Sequence, residues 1–518
     1  MARIAVIGAG MGAMAAAARL AVAGHTVAVY ERGETYGGGV RRFEREGFGF
    51  DTGPGLLHLP AVYRDLFVKT GKEPLESCVQ LSQVDPASRH VFADGTDVSL
   101  PNASRAGVIT ALDAALGAGA GERWSDLVNR ARDVWDATRR PLLEEPLRED
   151  WSALARDPYP AVRRGLLRRG ARTLAEVADR ELEDPRLGAL LASHALAYGI
   201  DPRDAPASAV VLPYVEQTFG SWYVRGGMRA LAHSVHERCL ARKVEFTFGA
   251  EVDVITEKDG RASGLLLVDG TEVDADLVVA GVDPWVLAVM VGDSPVAYTR
   301  LYRPSDVLPR LRRPRARFTV LLALRGARPE GTAHRTVVHA ADRDTELAAV
   351  FGTGGGPAEH RVPCERPTVT VLRPDDPTQR PDDRHEAVTL TVTVPGHAEE
   401  APDSLDWSAD GVAEDFAQRV ISVAEAAIPD LRERLLWHEI RTPADTAEET
   451  GVAGGAVPGP ALAGARGEQL RAANRTRMPG LYTVGGWYHP GGGLAHAGMS
   501  GALVAGLIVE GDDWRGSQ

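Results

Sequence analysis

The sequence predicts an α/β fold: a Rossmann-like dinucleotide-binding domain assembled from separated segments, with an inserted α+β substrate domain. Three observations carry this. The chain opens with a strand, a glycine turn and a helix. It closes with a second glycine-rich turn running into another helix. Between them the α/β texture is interrupted twice, and each time it returns.

The opening unit comes first. An apolar run, Ile4–Ile7, meets Gly8-Ala9-Gly10-Met11-Gly12-Ala13, an alanine-rich helix follows, and a second apolar run, Thr26–Tyr30, ends at Glu31. Gly8 permits the tight turn, Gly10 lets the backbone approach a pyrophosphate, and Ala13 is small enough for close helix–strand packing. Phosphates sit on the helix N-terminus, and Glu31 hydrogen-bonds ribose hydroxyls. A lone glycine triplet is weak evidence, but here the strand, the helix and the acid stand at the required spacing. An acid at 31 argues against a 2′-phosphorylated nucleotide. Two further glycine clusters, Gly37-Gly38-Gly39 and Gly47 to Gly53-Pro54, suit backbone lying against a long extended cofactor, which a nicotinamide domain does not usually need.

Residues 110–200 read as helices, with apolar residues at helical spacing and many Arg and Glu. Residues 222–285 return to α/β texture. Arg225-Gly226-Gly227-Met228 precedes a helix over 228–241, and strands follow at Val244–Phe248, Glu251–Thr256, Gly264–Val268 and Leu277–Ala280. Lys258-Asp259-Gly260 and Asp269-Gly270 are hairpin signals between them. Residues 300–450 mix strands (Phe318–Leu324, Val388–Val394) with a helix near 411–428. Gly352–Pro357 and Arg373–Arg384 read as exposed loops, and 450–479, rich in Gly, Ala and Pro, as irregular. The tail gives a strand, Leu481–Val484, a glycine turn over 485–493 and a helix over about 497–510. No internal repeat is present. The division this suggests is a cofactor domain over 1–105, 222–290 and 455–518. Residues 106–221 would form the helical part of the substrate domain and 291–454 its sheet-and-helix part.

At 518 residues the chain exceeds the usual size of a single core. Its net charge of −13 disfavours a dedicated nucleic-acid binder. The cysteines Cys78, Cys239 and Cys364 are far apart and form no CxxC, which suits a reducing cytoplasm and excludes a disulfide framework or zinc site; no other metal site is expected. The N-terminal apolar stretch is the dinucleotide turn itself rather than a signal peptide, and no window of about 18 uncharged apolar residues stands out as a membrane span. The run Arg163-Arg164-Gly165-Leu166-Leu167-Arg168-Arg169 pairs arginines with apolar residues. That pattern suits peripheral contact with an anionic membrane surface, and equally a solvated helix face with its apolar pair in the core.

Five segments together resemble the FAD-dependent phytoene desaturase and carotenoid isomerase family, within the amine-oxidase-like flavoproteins. They are the dinucleotide turn with Glu31; Gly37-Gly38 leading to Asp51-Thr52-Gly53-Pro54; Pro86–Gly95; Tyr223-Val224-Arg225-Gly226-Gly227-Met228 with the strand ending at Val279; and Leu481–Gly493 with Ser500-Gly501. The last is the most specific. The resemblance implies a Rossmann-like FAD-binding domain of the second glutathione-reductase type. Adenosine would lie over Gly8, Gly10, Gly12, Ala13, Glu31 and Arg32, with the backbone of Val252 near the adenine. Gly38, Gly39 and Arg41 would neighbour the pyrophosphate. The flavin would lie against Gly485, Gly486 and Gly493, near Met499. A glycine turn feeding a helix at the flavin places about half a positive charge there, which favours the anionic reduced ring. The family usually carries Arg or Lys where this chain has Gly39, and Arg41 or Arg42 is positioned to replace that charge. It has small residues where this chain has Trp487 and Tyr488, and often Pro-Gly where this chain has Ala495-His496.

The implied activity is an FAD-dependent oxidoreductase that dehydrogenates carbon–carbon bonds of a large apolar, isoprenoid or carotenoid-like substrate. Two other readings stay open: an oxidase or desaturase of an amine-bearing or other non-carotenoid metabolite, and a non-redox polyene isomerase. Four candidates for catalysis follow. His489 either faces the ring or only orders the glycine turn. His496 is an acid–base group titrating near neutral pH or a solvent-facing residue. Trp487 and Tyr488 line the site, where they would narrow it or form an aromatic cage for an amine, or they fill volume between domains. Glu216 and Tyr223, near the expected domain crossover, are weaker candidates.

Overall fold

The computed structural model describes all residues except 165–166, 170, 293–314, 354–361, 399–403, 512 and 517–518; for 162–164 and 167–169 it describes the backbone alone. Five strands form a parallel sheet in the order Glu245–Phe248, Thr26–Glu31, Arg3–Ile7, Leu277–Ala280, Leu481–Thr483. The central strand is buried on both faces. Ile4 and Val6 pack with the opening helix, Met11–Val22, whereas Ala5 and Ile7 pack with Leu265 and Leu287. Two-sided burial is why this strand reads as a continuous apolar run rather than an alternating one.

The opening helix lies against the closing helix, Leu494–Glu510. Their contact is made of backbone and small side chains. A Cβ on Gly501 would stand 2.6 Å from the carbonyl oxygen of Gly12 and 2.8 Å from the Cβ of Ala15. A Cβ on Gly12 would stand 2.9 Å from the Cα of Gly485. Glycine at these points draws the first and last glycine turns together.

A second sheet has seven strands in the order Leu435–Arg441, Arg315–Arg325, His385–Pro395, Val369–Leu372, Arg335–Val338, Ser88–Val91, Asp97–Leu100. Its two longest strands pair antiparallel in unbroken register from Arg315↔Pro395 to Arg325↔His385. Phe318, Val320, Leu322 and Leu324 face the helix Val412–Ala424. On the opposite face Arg317 and Thr319 line a cavity, and Leu321 and Ala323 pack on Phe48 and Phe50. Above that face stand the helices Ala120–Arg139, Pro185–Leu196 and Val211–Phe219, which share a core of their own.

Several expectations are corrected. Residues 88–100, expected in the first cofactor segment, pair through Thr336↔Arg89 with the seven-stranded sheet. A strand pair needs only backbone partners, and linear position says little about which sheet supplies them. Val162–Arg164 and Leu167–Arg169 form an antiparallel hairpin, not the helix face considered for the arginine run. Pro158 and Pro160 just upstream disfavour helix there. The side chains of the arginine run lie outside the described residues, as does most of the expected loop Gly352–Pro357. Arg373–Arg384 is not an exposed loop throughout: Arg373, Asp376 and Gln379 are buried. Arg373 makes a paired contact with Glu386 (2.7 and 2.9 Å), and Asp376 accepts from the Tyr223 hydroxyl and the Gly226 amide. Charges so partnered are carried inward without an unpaired burial cost. No helix among the described residues is long and apolar enough to cross a membrane.

Candidate active site

The opening turn is held by its own acid. Gly8 sits at φ +87°, and its amide donates to Tyr30 across the sheet. The Glu31 carboxylate accepts from the Ala9 amide (2.7 Å) through one oxygen and from the Gly33 amide (2.9 Å) through the other. The second strand therefore delivers a charge directly over the turn. Gly37 donates to the Ala9 carbonyl, and a Cβ on Gly38 would lie 3.1 Å from the Cα of Gly10, so this segment is pressed against the turn. Arg41 Nε donates to the Gly38 carbonyl, and its other end reaches the Glu449 carbonyl. Arg32 reaches the Glu448 carbonyl. Arg42 instead donates to Gly226 and does not line the groove. Of the two candidates for the missing basic charge, only Arg41 lies at the groove.

The closing turn is equally constrained. A Cβ on Gly492 would fall 1.7 Å from the carbonyl oxygen of Pro458, a position no other residue can occupy without moving the chain. Ser500 Oγ accepts from the Gly485 amide (3.0 Å) and from Asn474 Nδ2 (3.0 Å). Gly493, at φ +106°, caps the closing helix, with His496 and Tyr198 beside it.

Both turns open on one cavity of about 720 Å³. Gly8, Gly10, Gly12, Ala13, Glu31, Arg32, Gly38, Gly39, Arg41, Val252, Gly485, Gly486 and Gly493 line it, together with Trp487 and His496. Gly10, Gly39 and Gly485 have open space where a Cβ would stand. Two helix N-termini with their free amides also converge on it. This cradle fits a dinucleotide lying along its length.

Four candidate residues lie elsewhere. His489 is fully buried, and its Nε2 is 2.9 Å from the Glu145 carbonyl, so it joins the glycine turn to the segment after the helix Ala120–Arg139. Tyr488 is fully buried in the core with Leu481 and Ala472. Met499 packs against the helical core rather than the cavity. Periodicity is undefined in a glycine turn, so the direction of successive side chains there is not encoded in their spacing. His496 lines the cavity, but burial pushes its pKa down to about 4, and it stays neutral at pH 7 instead of titrating there. Tyr223 lies outside the cavity, bound to Asp376.

Beyond the cofactor turns the cavity continues between the helices and the seven-stranded sheet. Trp135, Leu142, Leu143, Val211, Leu212 and Val215 make an apolar wall. Within it stands a polar group that sequence reasoning largely missed: His58, His194, Glu216 and Arg335. Arg335 grips Glu216 with both terminal nitrogens, one at 3.0 Å. Burial works against the charge of Glu216, but the Arg335 guanidinium, with His194 and His58 nearby, overrides it and holds the carboxyl well below the usual range. Burial pulls the pKa of both His58 and His194 down. His194 Nδ1 lies 3.0 Å from the Leu190 carbonyl, and its Nε2 lies 3.8 Å from Glu216. Only Glu216 of these four carried a sequence signal, through its place before the Gly226-Gly227 segment.

A parallel sheet with a glycine-cradled groove opening on a cavity under a second sheet and its helices is the frame of a dinucleotide-dependent protein. The family model for flavin containing amine oxidoreductases matches residues 14–509, and the chain belongs to that family. It is an FAD-dependent oxidoreductase. It is similar to a 4,4'-diapolycopene oxygenase of Methylomonas sp., at 29% identity over 514 residues covering 98% of each chain. A zeta-carotene-forming phytoene desaturase of Myxococcus xanthus is 29% identical over 97% of this chain and 93% of its own. A hydroxyneurosporene desaturase of Rubrivivax gelatinosus is 28% identical over 98% and 93%. Among solved structures, an oxidoreductase from Methanosarcina mazei has a TM-score of 0.61 at 16% identity, covering 97% of this chain and 99% of that one. Cyclohexylamine oxidase from Brevibacterium oxydans has a TM-score of 0.60 at 14% identity over 98% and 99%. These two share the fold.

Proposed function

We propose that the chain dehydrogenates carbon–carbon bonds of a long, mainly apolar isoprenoid polyene. One observation carries this: the cavity continues from the cofactor cradle past an apolar wall of Trp135, Leu142, Leu143, Val211, Leu212 and Val215. The full-length similarity to enzymes named for carotenoid substrates supports the same reading. An amine substrate would want an aromatic cage, and Tyr488, one of the two aromatic residues expected to make it, is buried in the core away from the cavity.

The reaction breaks two carbon–hydrogen bonds on adjacent carbons and forms a carbon–carbon double bond. Bound FAD supplies the two-electron oxidant that takes one hydrogen as hydride. The other leaves as a proton. The chain contributes placement and exclusion of water. Its glycine turns allow close approach of the cofactor, and the apolar wall holds the polyene against it. The half-buried imidazoles of His58 and His194 line the cavity with their pKa held below the ordinary 6.5, and so are available in neutral form to receive the proton. Anaerobic mixing of the holoenzyme with phytoene or a more desaturated polyene is expected to bleach the flavin absorption and yield a product two hydrogens poorer. Flavin that stays oxidised with every polyene but bleaches with an amine panel would overturn the proposal.

A further inference from the structure

Six arginines line the cavity. Arg139 pairs with Glu144 (3.3 Å), Arg335 with Glu216 and Arg441 with Glu449. Arg32 and Arg41 donate to backbone carbonyls, and they stand at the turn expected to hold the pyrophosphate. Arg317 remains. It stands half-buried on the strand Arg315–Arg325, on the face turned to the cavity. One terminal nitrogen donates to the Ala197 carbonyl (3.0 Å), and no carboxylate among the described residues pairs with it. Beside it on the same face, Thr319 pairs across the sheet with Thr391, and both line the cavity. Neither hydroxyl has a partner among the described residues. A cation kept inside a protein without an anion is costly. One guanidinium flanked by two hydroxyl donors fits a carboxylate, whose two oxygens accept several such bonds. A diphosphate carries more negative charge than one arginine answers.

We propose that Arg317, with Thr319 and Thr391, binds a carboxylate at one end of an otherwise apolar polyene chain. The inference rests on the polyene reading above and narrows it to acidic substrates. The site stands at the closing-turn end of the cavity. Ala197, whose carbonyl holds Arg317, precedes Tyr198, and the Tyr198 ring lies 3.6 Å from where a Cβ on Gly493 would stand. The Val457 amide donates to the Arg315 carbonyl (2.8 Å), and Pro458 follows, pressed against Gly492. A carboxylate fixed there leaves the apolar length of the chain to the wall of Val211, Leu212 and Val215, and sets which carbons reach the cofactor.

The test uses geranylgeranoic acid and its methyl ester, which share one chain and differ by a charge, and neither of which absorbs where the flavin does. Dissociation constants are read at about pH 8, where the acid is ionised, from the perturbation of the holoenzyme flavin spectrum. The acid is expected to bind about tenfold or more tightly than the ester, the discrimination that a charge-assisted contact gives. In Arg317→Gln that ratio is expected to fall to within about threefold, and Arg317→Lys, which keeps the charge but not the planar fork, should recover part of it. Equal dissociation constants in the wild-type protein, no binding of the acid, or a ratio that survives Arg317→Gln would overturn the site. If Arg317→Gln fails to retain FAD, Thr319→Val is read in its place. The dissociation constant of the acid should then rise about threefold or more, and an unchanged value overturns the site. Anaerobic bleaching is followed separately with phytoene and other polyenes. Flavin that stays oxidised with all of them would sink the dehydrogenase reading, while the ratio of acid to ester still judges the carboxylate site.

Discussion

Glu31 shows how much one residue can hold. Its two carboxylate oxygens already fasten the Ala9 and Gly33 amides, and the ribose of the cofactor would use the lone pairs that remain. Glu31→Ala removes both supports of the turn along with the ribose acceptor. A charged acceptor contributes about 1.5–3 kcal/mol, so FAD affinity should fall on the order of tenfold to a hundredfold. Titrating apoprotein with FAD and following flavin fluorescence checks this; an affinity within twofold of wild type would mean the ribose is held elsewhere. The same residue-level economy separates His489 from His496. Seven positions apart, both are neutral at pH 7, yet the fully buried His489 fastens the Glu145 carbonyl while the half-buried His496 lines the cavity.

At the scale of elements, the contact between the opening and closing helices governs the cradle. Gly501 faces the backbone of Gly12 and Ala16, groups that cannot rotate aside. Gly501→Val should push the helices apart and separate the two glycine turns, at a cost of about 1–3 kcal/mol from overpacking. The expected result is a lower melting temperature and a lower ratio of FAD to protein after purification. Full flavin occupancy with unchanged melting would show that the two helices have slack between them. This element pair was legible in the sequence because each helix announces itself with a glycine turn, and Gly12 and Gly501 both belong to recognisable segments. The hairpin at 162–169 was not, since paired arginines alternate with apolar residues in a way that fits either periodicity.

At the scale of the whole molecule, several imidazoles are held below their ordinary pKa. Burial pushes His334 and His339 to about 3 and His489 and His496 to about 4, and His90 lies well below its ordinary 6.5. Unfolding frees them to protonate near 6.5, so the stability they permit is present above that pH and is lost as pH falls toward their folded values. Two buried acids act oppositely: Asp51 is raised to about 6 and Glu346 to about 7, so their contribution weakens as pH rises through those values. The imidazoles outnumber them, and unfolding between pH 5 and 7 should take up on the order of three protons. Calorimetry is expected to show a lower melting temperature at pH 5 than at pH 7. An equal or higher value at pH 5 would mean these side chains reach water in the native state. At this scale too the sequence was only partly readable. The cofactor groove follows from local signals, such as the spacing from Gly8 to Glu31. The cluster of His58, His194, Glu216 and Arg335 does not, because four segments far apart in the chain bring one side chain each, and only the folded sheet and helices set them on one wall.

The pairing of the first helix with the last has a consequence for biosynthesis. Ala15–Ala18 are fully buried in the finished protein, yet Gly501 and its helix, which cover part of that face, are made roughly 470 residues after Val22. At about 5–20 residues per second this leaves the alanine face waiting on the order of 25–100 s, longer than a small domain takes to fold. The fifth strand of the parallel sheet, Leu481–Thr483, arrives equally late. The nascent chain therefore lacks half of its nucleotide cradle until Leu481–Glu510 has been made, and FAD capture waits for that segment. Chains stalled on the ribosome before Leu481 should take up no FAD at any concentration that saturates the complete protein, while chains extended past Glu510 should. Flavin bound to the shorter chains would mean that the opening turn alone suffices.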